Sequence, residues 1–176
     1  MESQQASVKK IALNYGLLLA LLSIVLQVIS YVLDAHIDRP WWLNVGQLVI
    51  SVSVLVYGIK LFKTENAGFL TVGQALKTGL AISLVAGIVA IIFNYIFMNF
   101  IDPDFVQQTL DFSRQQMIEK YPNMTEEQIE ASMSISEKFM SPWIMSAFSL
   151  MLTLFFGFII SLVVGMIMKR NPPTQF

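Results

Sequence analysis

Four long apolar runs, at roughly 11–33, 41–62, 72–100 and 142–168, alternate with short polar breaks. Each run is near or beyond the ~20 residues that an α-helix needs to cross a bilayer. The runs are continuously apolar rather than alternating, so helices are expected and not barrel strands. The predicted fold class is all-α. It is an integral membrane bundle of four transmembrane helices, one membrane domain over 1–176, with an extracytoplasmic helical loop between helices 3 and 4.

The breaks carry recognisable chemistry. Lys9 and Lys10 precede the first run, which is too long for a signal-peptide core and reads as a retained span. Asp34 to Pro40 is a short polar turn, and Trp41 and Trp42 then open the second run as interfacial anchors. Thr71 and Gln74 have capping-box spacing, so the third helix starts at Val72. At 1.5 Å per residue that run is about 43 Å long, more than a hydrocarbon core of about 30 Å.

Between the third and fourth runs the pattern changes. Asp102 and Pro103 read as cap and first turn of a helix to about Lys120, ended by Tyr121-Pro122-Asn123. Thr125 and Gln128 form a second capping box and start a helix to about Met140. That helix is amphipathic, with Ile129, Met133 and Met140 on one face and glutamates on the other. The region 103–140 is therefore predicted to be a helical cap. Ser141 and Pro142 repeat the cap-then-proline pattern and start the fourth span.

Composition reinforces the membrane reading: 55% of residues are hydrophobic and 13% charged, with mean hydropathy +0.63, against about a quarter charged in soluble domains. There is no cysteine, so disulfide, thiolate and zinc-thiolate chemistry are excluded. A net charge of −1 argues against a nucleic-acid partner. The distribution of charge says more than its sum. Lys9, Lys10, Lys60, Lys63, Lys77, Lys169 and Arg170 fall on the side of the termini, whereas the acidic residues concentrate on the other. The positive-inside rule then places both termini in the cytoplasm and the cap outside.

Small residues recur every four positions at Ala75, Gly79, Ser83 and Gly87 and at Gly157, Ser161 and Gly165. In lipid such ridges allow close helix packing. Packing of the third helix on the fourth is expected, with a homodimer seam as the alternative. Gln27, Asn94 and Asn99 are uncharged polar groups in or near apolar spans. Interhelical hydrogen bonding accounts for them, and a polar route is the alternative. No carboxylate, arginine or histidine lies mid-span, which counts against a proton-coupled carrier or voltage sensor. Asp34, His36 and Asp38, with Asp102 and Asp104, offer oxygen ligands and the one imidazole, but their spacing matches no closed metal motif. They read as a solvated turn and a helix cap, and no metal or cofactor is expected.

Several of these segments together carry a resemblance. They are Lys10-Ile-Ala-Leu-Asn-Tyr-Gly16, Gly68-Phe-Leu-Thr-Val-Gly-Gln-Ala-Leu-Lys-Thr-Gly79, Phe93-Asn-Tyr, Ile101-Asp-Pro-Asp-Phe105 and the Gly157–Arg170 end. The chain resembles, over nearly its whole length, the bacterial membrane-protein family catalogued as domain of unknown function 4199. The resemblance implies a four-helix inner-membrane protein and no particular activity. No catalytic constellation emerges from the residues, so a non-enzymatic role is expected: partner binding or assembly through Ile129, Met133 and Met140 of the cap. The alternative is a small oligomeric transporter or channel with Gln27, Asn94 and Asn99 along its route. The expected surroundings are the lipid bilayer, and a homodimer or another membrane protein.

Overall fold

The computed structural model describes residues 7–171. It is helical almost throughout. Four helices are long and apolar enough to cross a membrane: α1 (Val8–Val32), α2 (Trp41–Glu65), α3 (Val72–Ile96, continued by a π-helical turn over Phe97–Ile101) and, after two shorter helices, α6 (Pro142–Met168). The shorter pair, α4 (Phe105–Lys120) and α5 (Glu126–Phe139), lies between α3 and α6. The chain is a multi-pass membrane protein.

Local chemistry sets most of the boundaries. Ser7 caps α1 by accepting from the Lys10 backbone N–H, so the helix starts before the apolar run does. Both capping boxes form, Thr71 with Gln74 and Thr125 with Gln128, each pairing backbone and side chain reciprocally. Helix α1 closes on Asp34, which is left-handed at φ 52 and lets Ala35 N–H reach the Ser30 carbonyl at 2.8 Å.

Two expectations need correction at the far end of α3. The helix does not stay α-helical to Phe100, because the Asn99 amide takes the Tyr95 carbonyl at 2.7 Å, the acceptor an α-helical Asn99 N–H would use. The ladder widens into the π turn, closed by Asp102 N–H on Phe97 O at 2.8 Å. Asp102, in turn, does not cap α4. That helix starts two residues later at Phe105, with Asp104 in the cap position and no side-chain cap bond. The Asp102 carboxylate is used elsewhere, as described below. Pro142 occupies the first turn of α6, although the Ser141 side chain makes no cap bond.

Helix α3 is the central element, packed along α1 on one side and α6 on the other. The two small-residue ridges meet each other within the chain. A Cβ added at Gly79 would come within 2.7 Å of Ser161 Cβ, one at Gly157 within 2.8 Å of Ser83 Cβ, and one at Gly165 within 2.8 Å of Ala75 Cβ. Gly16 of α1 sits equally close to Val85, and Gly58 of α2 to Ile82. These contacts draw α1, α2, α3 and α6 together around Ile11, Leu55, Ile59, Ile82 and Val164. Because lipid supplies no hydrophobic drive for helix association, such close approach is what holds the bundle.

The end of the bundle that carries the termini is also stapled. Leu70 and Arg170 exchange backbone hydrogen bonds at 2.9 Å in both directions. Lys63 Nζ donates to the Met168 carbonyl at 2.8 Å, and the Arg170 guanidinium lies 5.8 Å from the Phe69 ring centre. The opposite end, from which α4 and α5 continue the chain, is looser. There the interlocking glycines give way to polar side chains and to two cavities.

Candidate functional site

At this cap end the helices bring together residues from distant parts of the sequence. The single histidine, His36, lies in the turn between α1 and α2, and Asp102 closes the π turn of α3. His36 Nε2 is 3.1 Å from Asp102 Oδ2, and Gln108 Nε2 of α4 donates to Asp102 Oδ1 at 3.2 Å. The His36 tautomer with its proton on Nε2 would donate to Oδ2 in this contact. Both side chains are largely buried, at 11% and 6% exposure. His36 Nδ1 is buried and has no partner among the described residues.

Aromatic rings enclose this pair. Tyr31 meets His36 edge-on at 5.0 Å and Phe97 at 5.3 Å, while Phe105 stacks on His36 at 6.3 Å. The Tyr31 hydroxyl reaches the Ile101 carbonyl at 3.4 Å. Phe97, in α-helical register at the end of α3, is 1% exposed, and the π turn that follows it brings the Asp102 carboxylate to the α1–α2 turn. One carboxylate thus ties the α1–α2 turn, α3 and α4 together.

Beside it lies a cavity of about 270 Å³ lined by Gln27, Ser30, His36, Asn94 and Asn99 among others. A larger groove of about 660 Å³ lies between the four long helices. The two share Gln27, Arg39, Asn94, Met145 and Ser149. The groove reaches Ser83, Gly157 and Ile160, where the interlocked glycines begin. Its lining therefore stops at the packed half of the bundle.

The groove is lined by amides and hydroxyls set among apolar side chains. Gln27 Nε2 donates to Asn94 Oδ1 at 3.1 Å, linking α1 to α3. Gln47 Nε2 donates to Ser23 Oγ at 2.9 Å, linking α2 to α1. Ser51 Oγ and Thr153 Oγ1 each donate to the carbonyl four residues earlier. Gln27, Asn94, Gln47, Ser51 and Thr153 are thus satisfied by protein, as lipid requires, whereas Ser161 Oγ in the interlocked half is buried without a partner among the described residues. Arg39 and Asn44, nearer the cap, make no side-chain hydrogen bond or ion pair among the described residues. Among the described residues, no carboxylate lines either cavity.

Of the residues singled out from sequence, Gln27 and Asn94 are brought together and line both cavities, whereas Asn99 bonds its own helix at the margin of the smaller one. Ile129 is buried at 4% exposure, and Met133 and Met140 are half-buried. Helix α5 packs on α4 and on α6, so these side chains face inward within the cap, while Ile135 and Phe139 are left exposed. Among the described residues, no three His, Asp or Glu side chains gather as metal ligands. The pairing of His36 with Asp102 and the place of Arg39 were missed from sequence. The stripe Asn44, Gln47 and Ser51, at helical spacing in an apolar run, was a legible signal for the groove.

No curated protein and no solved structure matches the chain. Residues 14–170 match the model of a protein family of unknown function, DUF4199, and the chain belongs to that family.

Proposed function

We propose that this is a non-enzymatic membrane protein that works by binding at its cap end. We place it in the bacterial inner membrane, with both termini cytoplasmic and the cap outside, on the strength of the lysines and arginines at the stapled end. The observation that carries the reading is the asymmetry of the bundle. One end is interlocked and stapled, whereas the other holds two cavities that share lining residues, beside a cap whose first helix is bonded to Asp102 through Gln108. The lining holds amides, hydroxyls, one imidazole and one guanidinium, a set suited to recognition. Transport fits less well, because the groove reaches no further than Ser83, Gly157 and Ile160, and its Gln27 and Asn94 amides are bonded to each other.

The absence of cysteine makes the test direct. Asn44→Cys and Ser149→Cys, introduced singly, should react with a membrane-impermeant thiol reagent in the purified, delipidated chain in mild detergent, and Asn44→Cys, near the mouth, should also react from outside intact cells. Ser161→Cys, in the interlocked half, should stay unreactive. Equal labelling of all three, or protection of the first two, would sink the reading, and labelling of Asn44→Cys in inverted vesicles but not in intact cells would reverse the orientation.

A second reading has its own support: the cap as a partner-binding or assembly element. Its exposed apolar side chains Ile118, Ile135 and Phe139 lie outside the packed face of Ile129 and Met133. Deleting 107–138 should leave membrane insertion intact and abolish co-purification of any specific partner. Identical co-purifying proteins with and without the segment would rule it out.

A further inference from the structure

The groove has a floor, two rims and a direction. Its floor comes from α1 and α3, where Ala20 is 2% and Ser83 1% exposed. Its rims come from α2 and α6, where Leu48 is 51%, Phe148 54% and Phe156 51% exposed. The groove therefore opens sideways, between α2 and α6, toward the hydrocarbon. Along α6 it is lined from Met145 to Ile160, about 22 Å at 1.5 Å per residue. That is a large part of a hydrocarbon core of about 30 Å. The space is long and narrow and runs with the membrane normal, which suits a chain better than a compact solute.

Its chemistry changes along that length. Near the cap stand Arg39 and Asn44, both without a side-chain partner among the described residues, and deeper lie Leu55, Phe156 and Ile160. Among the described residues Arg39 is the one lining group with a permanent charge, and no carboxylate lines the groove or pairs with it. A guanidinium at an interface matches a carboxylate or phosphate through paired N–H donors. On these grounds we propose that the α2–α6 groove holds an acyl chain of an anionic amphiphile, with its headgroup on Arg39 and its chain along Leu48, Phe148, Leu152 and Phe156. The headgroup chemistry is common to phospholipids and free fatty acids. The inference rests on the groove being the binding site, and it adds the class of ligand.

The full chain, purified in mild detergent, can be titrated with phosphatidylglycerol, phosphatidylcholine and palmitate, and bound copies counted by native mass spectrometry. One tightly held copy of phosphatidylglycerol or palmitate is expected, retained about tenfold better than phosphatidylcholine, a ratio worth about 1.4 kcal/mol. The better-held of the two anions identifies the source. Arg39→Gln, at an exposed position, should remove the preference for the anion while leaving chain binding. Leu152→Trp, on a rim, should fill the groove and weaken phosphatidylglycerol, phosphatidylcholine and palmitate alike. Equal retention of phosphatidylcholine by the parent, a preference that survives Arg39→Gln, or unchanged binding in Leu152→Trp would overturn the proposal. Circular dichroism on each variant establishes that it is folded. If Asn44→Cys and Ser149→Cys label as expected but no anion preference appears, the ligand class fails and the binding reading stands. If they are protected, both fail.

Discussion

Gly79 offers the sharpest test of how the bundle is held. A Cβ there would lie 2.7 Å from Ser161 Cβ and 3.5 Å from Ile59 Cδ1. Non-bonded carbons sit best about 3.5–4.0 Å apart, so Gly79→Ala forces α3 and α6 to part by about 1 Å at this point. A gap of that size forfeits a quarter to a half of each contact it opens. The ridge contacts at Gly157 and Gly165 lie on the same interface and open with it. Overpacking of this kind costs about 1–3 kcal/mol, and the shared interface puts the expectation near 2 kcal/mol. The better helix propensity of alanine, about 1 kcal/mol, offsets part of it. Ser161→Gly on its own should cost less, since it leaves a small gap. Combined with Gly79→Ala, it removes the obstructing side chain, and stability should recover by at least about 1 kcal/mol, a coupling typical of contacting residues. Reversible unfolding in mixed micelles, followed by circular dichroism, reads all three variants. Gly73→Ala is the control, because a Cβ there meets nothing within 4 Å. The reasoning fails if Gly79→Ala is as stable as the parent, or if the double variant is no better than Gly79→Ala alone.

Three further outcomes are expected. Asp102→Ala removes the acceptor for both His36 and Gln108, so the cap should loosen; limited proteolysis should cut 105–140 faster, consistent with a loss of about 1–3 kcal/mol for stranded buried groups. If the cleavage rate is unchanged, the carboxylate is not what holds the cap. Gln27→Leu and Asn94→Leu should each destabilise more than half as much as the pair replaced together, since a single change strands the other amide; the coupling in micelle unfolding should be about 0.6 kcal/mol, as for other intramembrane hydrogen bonds. Thr71→Ala breaks the capping box at the start of α3 and should cost about 1 kcal/mol in the same assay, with Thr71→Ser close to the parent.

The spans and caps were readable because each rests on neighbouring residues. A run of about 20 apolar side chains must be helical in lipid wherever it packs. Thr71 and Gln74, or Thr125 and Gln128, need only each other and the intervening turn. The ridges at Gly79 and Gly157 were also legible, since in lipid small side chains mark close approach. The cap end was not. Asp102 looked like an N-cap because aspartate before proline often is one, yet its partners lie 66 and 6 residues away. Ile129 and Met133 made an obvious apolar stripe, but whether it meets α4 or a partner depends on how the cap folds back.

The class of this protein is legible along the chain: spans, caps, small-residue ridges, an asymmetric distribution of charge and family membership. All of these follow from local chain chemistry or from the solvent the chain must satisfy. Only the three-dimensional packing shows that the ridges interlock α3 with α6 and leave a groove between the long helices, that a π turn brings Asp102 to His36, and that Arg39, without a side-chain partner among the described residues, lines that groove. Those features depend on distances between residues far apart in the chain, which hydrophobic periodicity does not encode.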